Sequence, residues 1–247
     1  MIRKILFKNI VFQNVENNKL NLFLKKNTHG LFVFPSGPGL STINEDRIYH
    51  NSLKKADFVF FDSGFFVLLI KFFKNINVNK LSGYKFLKIF LKNLKKNEKK
   101  NIILLVDPTK KKSINNFKFL VSLGFDKNKI KSYIAPQYNP KKIIDPKLLK
   151  IIKKNKPKTI ILNIGGGIQE ILGYYLKKKL KFRVKIICTG AAISFFTDDQ
   201  APINDFIDKY FLGWLLRILF NPFQFFKRYF YALKLLKIVK NNSVKKI

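Results

Sequence analysis

Reactive and metal-binding side chains are scarce in this chain, which has one cysteine and two histidines in 247 residues. The single cysteine, Cys188, excludes a disulfide framework and favours a reducing compartment. A nucleophilic cysteine would need a histidine partner, but His29 and His50 lie early in the chain and complete neither a catalytic triad nor a metal-binding pattern. We therefore expect Cys188 to be a buried packing residue, and we expect no metal and no cofactor.

Long apolar runs are also missing from the sequence. No uninterrupted apolar stretch reaches the roughly 18–20 residues that a transmembrane helix needs. The start of the chain, Met-Ile-Arg-Lys-Ile-Leu-Phe-Lys, lacks the apolar region and the small-residue cleavage site of a signal peptide. Together these absences predict a cytoplasmic protein.

Acidic residues are few, with 14 against 49 lysines and arginines, so the formal net charge is +35. Such a charge is typical of proteins that bind nucleic acid or an anionic membrane surface. Only five of the basic residues are arginines, although base readout and phosphate grooves favour arginine. No zinc-finger, basic-zipper or RNA-recognition signature is present, so we expect no nucleic-acid partner. Attraction to an anionic membrane stays open, and so does a solvated lysine-rich face that reflects an AT-rich genome.

Apolar residues make up 47% of the chain, which is enough to bury the core of one α/β domain. Five apolar runs each end at small or polar residues: Leu31–Phe34, Phe58–Phe61, Ile102–Val106, Lys158–Ile164 and Val184–Ile187. Most are followed by a segment that can be helical, and this alternation predicts a Rossmann-like, mainly parallel sheet flanked by helices. Ligands bind such α/β sheets beyond the carboxyl ends of the strands, where these loops would gather.

The loop after the fourth run is rich in glycine and reads Asn-Ile-Gly-Gly-Gly-Ile-Gln-Glu over residues 163–170. A strand, three glycines and an acidic first helical turn place bare backbone N–H groups at a helix N-terminus, where a phosphate or a sugar diphosphate can bind. The alternative is a tight turn without a ligand. The spacing matches neither the dinucleotide fingerprint nor a Walker loop, so no NAD or ATP motif is satisfied.

The C-terminal part of the chain combines aromatic with basic residues. Residues 210–240 contain Trp214 and many phenylalanines and tyrosines among lysines and arginines, and Asn221 followed by Pro222 predicts the start of a second helix. This composition suits the membrane–water interface; the alternative is a helical pair that docks on the core, and the two are compatible. We assign residues 1–200 to an α/β core and residues 201–247 to a helical, membrane-associating appendage.

Five short motifs follow one another along the chain: Ala56-Asp57…Asp62-Ser63-Gly64, Ser82-Gly83, Gly165-Gly-Gly-Ile-Gln169-Glu170, Gly190-Ala-Ala-Ile-Ser-Phe-Phe196 with Ala201-Pro202, and Gly213-Trp214-Leu-Leu-Arg217…Pro222…Lys227-Arg228-Tyr229. In this order they resemble the motifs of the bacterial WecG/TagA/CpsF glycosyltransferases, which make polysaccharide precursors on lipid carriers. The similarity covers approximately residues 31–235. The chain departs from the family pattern at Gly167, which replaces a proline, at Gly213, which replaces a glutamate, and in the loop at Ser36, which replaces Thr-x-Asn.

The resemblance implies a specific reaction. The enzyme would move a sugar, an N-acetylhexosamine such as ManNAc, from a UDP-sugar to a polyprenyl-diphosphate-linked acceptor in bacterial surface polysaccharide biosynthesis. It would be a peripheral protein on the inner face of the cytoplasmic membrane, and a homo-oligomer stays open.

The resemblance and the residue chemistry together name a candidate site. Asp62, at the carboxyl end of a strand, is the predicted base that takes the proton of the acceptor hydroxyl, the alternative being a carboxylate that caps the next helix. No Asp-x-Asp occurs to hold the diphosphate through a metal, and the resemblance gives this task to Arg217 and Arg228. We expect Asp198-Asp199 to be a surface turn. The other predicted substrate-binding residues are Ser36, Gly37, Gly83, Gly165, Gly166, Gly167, Gln169, Glu170 and Gly190.

Two other classes of protein stay open at this point. An NAD-dependent epimerase would use the Tyr-x-x-x-Lys spacing found at Tyr84/Lys88, Tyr174/Lys178 and Tyr175/Lys179, although chance explains it in so lysine-rich a chain and the dinucleotide fingerprint is missing. The second class is a non-catalytic basic protein that binds membrane or nucleic acid.

Overall fold

The computed structural model describes residues 3–25, 28–97, 101–197, 208 and 213–247. Nine strands occur in these ranges: β1 (Arg3–Phe7), β2 (Ile10–Asn14), β3 (Gly30–Val33), β4 (Phe58–Phe60), β5 (Ile103–Asp107), β6 (Ile130–Ile134), β7 (Thr159–Leu162), β8 (Lys185–Cys188) and β9 (Val244–Lys246). They form one sheet in the order β6-β5-β7-β8-β3-β4-β2-β1-β9. From β6 to β2 all neighbours are parallel, and only the pairs of β1 with β2 and β9 are antiparallel. The predicted mainly parallel α/β sheet is confirmed.

Helices follow most of the strands, as the alternation predicted. They are α1 (Leu20–Lys25), α2 (Gly37–Leu40), α3 (Arg47–Lys54), α4 (Gly64–Lys74), α5 (Gly83–Asn97), α6 (Lys110–Ser122), α7 (Pro146–Asn155), α8 (Ile168–Lys179), α9 (Gly213–Phe220), α10 (Pro222–Ala232) and α11 (Lys234–Asn241). A 3₁₀ turn, Gly190–Phe195, follows β8. Pro222 begins α10, as its fixed φ and missing N–H predicted. None of the described helices is long and apolar enough to cross a membrane.

Alternate residues of each strand face two separate cores. Leu31 and Val33 of β3 pack on one side of the sheet with α3, α4, α7, α8 and α11, whereas Phe32 packs on the other side with α1, α5 and α6. Because both faces are covered, the central strands are continuous apolar runs, and Ile103–Val106 is fully buried. The two layers of helices cover the faces of the sheet and leave the ends of the strands open.

The two ends of the chain meet at one side of the sheet. Strands β1 and β2 form a hairpin whose turn residues, Lys8 and Asn9, have left-handed φ values of 50° and 60°. On the other side of β1 the C-terminal strand β9 pairs with it, with Ile5 opposite Lys246. Helix α11 is amphipathic and buries Leu235 in the core beside α4. The last part of the tail is therefore fixed to the α/β core, and the boundary at residue 200 stays a prediction.

Gly173 marks the closest packing of α8 on the sheet. A Cβ there would lie 2.6 Å from Leu31 Cδ1 and 2.9 Å from Cys188 Sγ, and both side chains are fully buried. We predict that Gly173→Ala lowers the free energy of unfolding by about 1–3 kcal/mol through overpacking, in spite of the higher helix propensity of alanine. Urea denaturation measures this change.

Gly165→Ala is the matched control, because nothing lies within 4 Å of the Cβ position at Gly165. Its free energy of unfolding should stay close to that of the wild type. A Gly173→Ala variant as stable as the wild type would show that the side chains of Leu31 and Cys188, or the strands to which they belong, can move away from the helix.

Candidate active site

A cavity of about 360 Å³ opens beyond the carboxyl ends of β3, β4 and β8. We call it the Asp62 cavity. Four of the predicted site residues line it, and tail residues at the end of helix α10 and directly after it close one side. The predicted residues are Ser36, Gly37, Asp62 and Gly83, and the tail residues are Tyr229, Ala232 and Leu233. The sheet therefore gathers these loops at its carboxyl edge, as predicted for a parallel α/β fold.

Asp62 reaches this cavity from the loop after β4. Ser63 caps the following helix α4, since its Oγ accepts a hydrogen bond from Phe66 N at 3.2 Å. Asp62 Oδ1 accepts from the backbone N–H of Gly83, the first residue of α5, at 2.8 Å. Ser63 is thus the N-cap of α4, and one carboxylate oxygen of Asp62 is held at the start of the more distant helix α5.

Glycines allow the loops around Asp62 to approach each other closely. A Cβ at Gly83 would lie 3.1 Å from the backbone oxygen of Thr189, and a Cβ at Gly37 would lie 2.8 Å from Ser63 Oγ. Ser36 accepts a hydrogen bond from Gly39 N at 3.3 Å and so caps the short helix α2. In the structure these residues shape the cavity, and their contacts with substrate stay predictions.

Lys80 is a cavity residue that sequence analysis did not single out. Its ammonium group pairs with Asp208, at 2.7 Å from Oδ1 and 2.6 Å from the backbone oxygen, and its side chain is only 12% exposed. One lysine among 49 basic residues gives no distinguishing signal, although it lies two positions before the Ser82-Gly83 motif. The cavity thus contains a carboxylate, Asp62, that can accept a proton, and a cation that can attract phosphate.

The glycine loop is closed by its own glutamate. Gly167 has a φ of 91°, which glycine adopts far more readily than other residues, and its N–H donates to Glu170 Oε2 at 2.7 Å. The N-terminus of α8 therefore already holds a carboxylate where the sequence predicted a phosphate or a sugar diphosphate. The structure differs here from the expectation, because the acidic residue in the first turn folds back onto the loop.

Gln169 and Glu170 are buried and connect two neighbouring loops. Gln169 Nε2 donates to Glu170 Oε1 at 3.0 Å, and Gln169 Oε1 accepts from the backbone N–H of Gly190 at 2.7 Å. The thiol of Cys188, buried as predicted, donates to the Gln169 carbonyl at 3.4 Å. This set of contacts fixes the loop after β7 to the loop after β8.

Burial sets the protonation of this cluster. It raises the pKa of Glu170 to about 7, and the negative charge of Asp62 adds a smaller effect in the same direction. Burial also raises the pKa of the Cys188 thiol, with a further contribution from the charge of Glu170. Cys188 therefore stays a protonated thiol, which is inert as a nucleophile.

The glycines of the loop line a second cavity, of about 550 Å³. We call it the glycine-loop cavity. Gly165, Gly166 and Gly167 form one wall, and Tyr231 and Lys234 of the tail lie on another. Cβ positions at Gly165 and Gly167 would point into open space, and Pro38 lines both cavities. Seven of the predicted site residues are thus divided between two adjacent cavities, whereas Gln169, Glu170 and Gly190 line neither.

Several predicted residues lie outside the described part of the chain. The backbones of Arg217 and Arg228 belong to α9 and α10, but their side chains are not described, and neither is that of Trp214. The segments 198–199 and 201–202 are also outside it. The roles given to the two arginines stay predictions.

A third polar cluster lies deeper, at the ends of β5 and β7. Asp107 is fully buried, and its Oδ1 accepts from the side-chain amides of Asn116 and Asn163, each at 2.7 Å. Burial raises the pKa of Asp107. The cluster lines neither cavity. Among the described residues no group of three or more His, Cys, Asp or Glu side chains is arranged to hold a metal.

The pKa of Glu170 predicts a pH dependence of stability. The ordinary value is 4.5 and the folded value is about 7, so the folded protein binds a proton that the unfolded chain has released between these pH values. The free energy of unfolding should therefore fall as pH rises from 4.5 to 7, by a contribution on the order of 3 kcal/mol. Urea denaturation of the wild type and Glu170→Gln at several pH values measures it.

Glu170→Gln has no titrating group at this position, so its own effect on stability is a constant offset. The difference between the two proteins should change across this pH window and level off above it. Parallel pH profiles would contradict the raised pKa.

Comparison of the sequence with models of protein families shows the family to which the chain belongs. The model of the Glycosyl transferase WecG/TagA/CpsF family matches residues 2–246, which is nearly the whole chain. Comparison with curated proteins gives no match. Members of this family are glycosyltransferases of cell-surface polysaccharide biosynthesis that use a sugar donor and an acceptor. Membership of the family therefore argues against both the epimerase and the non-catalytic alternative. The chain belongs to the WecG/TagA/CpsF family and is a glycosyltransferase.

Proposed function

We propose that the protein transfers an N-acetylhexosamine, such as ManNAc, from a UDP-sugar to a polyprenyl-diphosphate-linked acceptor at the inner face of the cytoplasmic membrane. The observation that supports this most directly is the Asp62 cavity. It combines a carboxylate and the Lys80 ammonium at the carboxyl edge of the sheet, and one wall comes from the aromatic tail. A base, a cation and an apolar wall are what transfer between an anionic donor and a lipid acceptor needs.

Asp62 is the base in the proposed reaction. Its carboxylate removes the proton of the acceptor hydroxyl while the hydroxyl oxygen attacks the anomeric carbon of the sugar. The bond from that carbon to the β-phosphate oxygen breaks, and UDP leaves with the electron pair. Attack opposite the leaving group inverts the anomeric configuration. The hydrogen bond from Gly83 N, at 2.8 Å, orients the carboxylate during this step.

Cations of the chain stabilise the departing diphosphate in this proposal. Lys80 already lies in the cavity, and a diphosphate would compete with Asp208 for its ammonium group. The resemblance adds Arg217 and Arg228 from the tail, whose planar groups can each bind two phosphate oxygens. No metal ion is required by this arrangement of charges.

The nucleotide of the donor occupies the glycine-loop cavity in the proposal. Gly165 and Gly167 leave space there, and Pro38 lines both this cavity and the one that contains Asp62. The carboxylate of Glu170 already faces the N–H of Gly167, so a second anion at this helix N-terminus would be repelled. We therefore assign the glycine loop to the neutral parts of the nucleotide and place the diphosphate toward Lys80.

Exposed apolar side chains on helices that also line the Asp62 cavity support binding to a membrane, and we call them the apolar rim. It consists of Leu68 and Phe72 of α4, Leu219 of α9, and Phe223, Phe226 and Phe230 of α10, all of them exposed. Phe223 is 97% exposed, and α4 and α10 both line the cavity. Exposed lysines lie in the same helices and in α11: Lys71, Lys227 and Lys237. Aromatic rings beside lysines fit the headgroup region of an anionic bilayer.

The base is tested by Asp62→Asn, which keeps an oxygen for the Gly83 hydrogen bond but cannot accept the proton. We expect transfer from UDP-sugars to a short-chain prenyl-diphosphate-sugar to fall about 100- to 10,000-fold. The measurement is the steady-state rate over a panel of UDP-hexoses and UDP-N-acetylhexosamines. Asp126→Asn is the matched control, because Asp126 is exposed and caps a short turn that lines neither cavity.

The results of this experiment test the base and the reaction separately. Transfer that survives in Asp62→Asn would keep the enzyme and reject this base. Absence of transfer and of nucleotide binding in the wild type, across the whole panel, would overturn the proposed reaction.

Membrane binding is tested by replacing Phe223, Phe226 and Phe230 together with serine. These side chains lie at helical spacing on one exposed face of α10. We expect binding to phosphatidylglycerol vesicles in co-sedimentation to weaken at least about tenfold, because three apolar side chains no longer insert. Unchanged binding by the triple variant would reject the rim as the membrane contact.

Ile114→Ser with Val121→Ser is the control, because these exposed apolar residues belong to α6 on the opposite layer of helices. Point variants are preferable to removal of residues 205–247, since that deletion would also take Leu235, Ile238 and Val239 out of the core.

A further inference from the structure

Thr189 has a buried hydroxyl oxygen without a hydrogen-bond partner among the described residues. It directly follows β8 and is 8% exposed. Other described residues have such atoms, but only Thr189 lines one of the two cavities. A buried hydroxyl that lacks a hydrogen-bond partner costs free energy. Because Thr189 lines the Asp62 cavity, a polar group of the substrate can supply this partner.

The local structure strengthens this point. Thr189 is the N-cap residue of the 3₁₀ turn Gly190–Phe195, a position where a threonine side chain ordinarily accepts a hydrogen bond from the turn's own backbone N–H groups. Here no such side-chain capping bond is formed. The Thr189 hydroxyl therefore does not make the hydrogen bond to a backbone N–H of the turn that an N-cap threonine ordinarily makes.

Thr189 also lies close to the proposed base. Its backbone oxygen and Cβ would be 3.1 Å and 3.2 Å from a Cβ at Gly83, and the N–H of Gly83 donates to Asp62 Oδ1. A group that contacts Thr189 from within the cavity is therefore near the reacting atoms. Ala192, Phe195 and Tyr84 share this wall. The rings of Tyr84 and Phe195 pack edge to face, with their centroids 6.1 Å apart.

We propose that the Thr189 hydroxyl contacts a neutral polar substituent of the transferred sugar and so contributes to donor specificity. This inference rests on the proposed function and adds a residue to it. A neutral group is favoured over phosphate because Ala192 and Phe195 make the wall around Thr189 largely apolar, while Lys80 is the cation among the described residues that line the cavity. A ring hydroxyl and the carbonyl of an acetamido group share the chemistry that a threonine hydroxyl recognises.

The hydroxyl oxygen of Thr189 is covered in the structure, so a lining side chain has to rotate when the sugar enters. Rotamer changes of this size are common when sites fill. A hydrogen bond made in both the bound donor and the transition state acts mainly on KM rather than on kcat.

The experiment compares Thr189→Val, which keeps the shape and removes the hydroxyl, with Thr189→Ser, which keeps the hydroxyl. We expect kcat/KM of the valine variant to fall about tenfold to a hundredfold, mainly through a higher donor KM, and the serine variant to retain most of the activity. Thermal stability of Thr189→Val should be equal to or above that of the wild type, because no intramolecular bond is lost. Donors are UDP-hexoses and UDP-N-acetylhexosamines, with the prenyl-diphosphate-sugar as acceptor.

Thr159→Val is the matched control. Thr159 Oγ1 is also buried and without a partner among the described residues, but it lies at the start of β7 and lines neither cavity. It should change neither KM nor kcat. A loss at Thr189→Val that is confined to acetamido donors identifies that substituent, whereas an equal loss with all donors identifies a ring hydroxyl.

Three results would overturn the inference. Thr189→Val with wild-type kcat/KM on every donor would reject the contact and leave the proposed reaction intact. A marked loss of thermal stability in Thr189→Val would show that the hydroxyl is structural. A wild type that transfers none of the sugars would remove the proposed function and this inference with it.

Discussion

The hydrogen bond from Gly190 N to the side chain of Gln169, 2.7 Å long, is the contact on which both cavities depend. Gly190 opens the 3₁₀ turn that supplies Ala192 and Phe195 to the Asp62 cavity. Gln169 follows the three glycines that line the neighbouring cavity. The bond therefore fixes the two cavities relative to each other. A donor whose sugar and nucleotide occupy different cavities needs this distance to be constant, because small displacements of reacting groups are costly.

Glu170 supports the same junction at a cost in stability. In a chain with a net charge of +35, this buried carboxylate is held by amides, the N–H of Gly167 and the side chain of Gln169. Its pKa of about 7 means that its charge changes near neutral pH. Protonation of Glu170 removes a negative charge beside the glycine loop.

Patterns that are local in the sequence predicted the fold well. Apolar runs marked strands β3, β4, β5, β7 and β8, and Pro222 marked the start of α10. The rule that ligands bind at the carboxyl ends of the strands predicted that the loops of Ser36 and Asp62 meet, and both residues line one cavity. Gly83, which lines the same cavity, was predicted from the family resemblance. Lys80 and Thr189 were missed because their significance depends on what surrounds them: one lysine resembles many others, and a threonine after a strand ordinarily caps. The closing of the glycine loop by Glu170 was missed because the loop lacks the serine or threonine that usually announces a capping box.

The tail has three structural features that could not be connected from the sequence. Its end is anchored, since Leu235 of α11 packs in the core and β9 joins the sheet. Its middle forms cavity walls, through Tyr229 on the Asp62 side and Tyr231 on the glycine-loop side. Its outer face exposes Phe223 and its neighbours. The same helix α10 therefore has both the exposed phenylalanines and residues that form walls of both cavities.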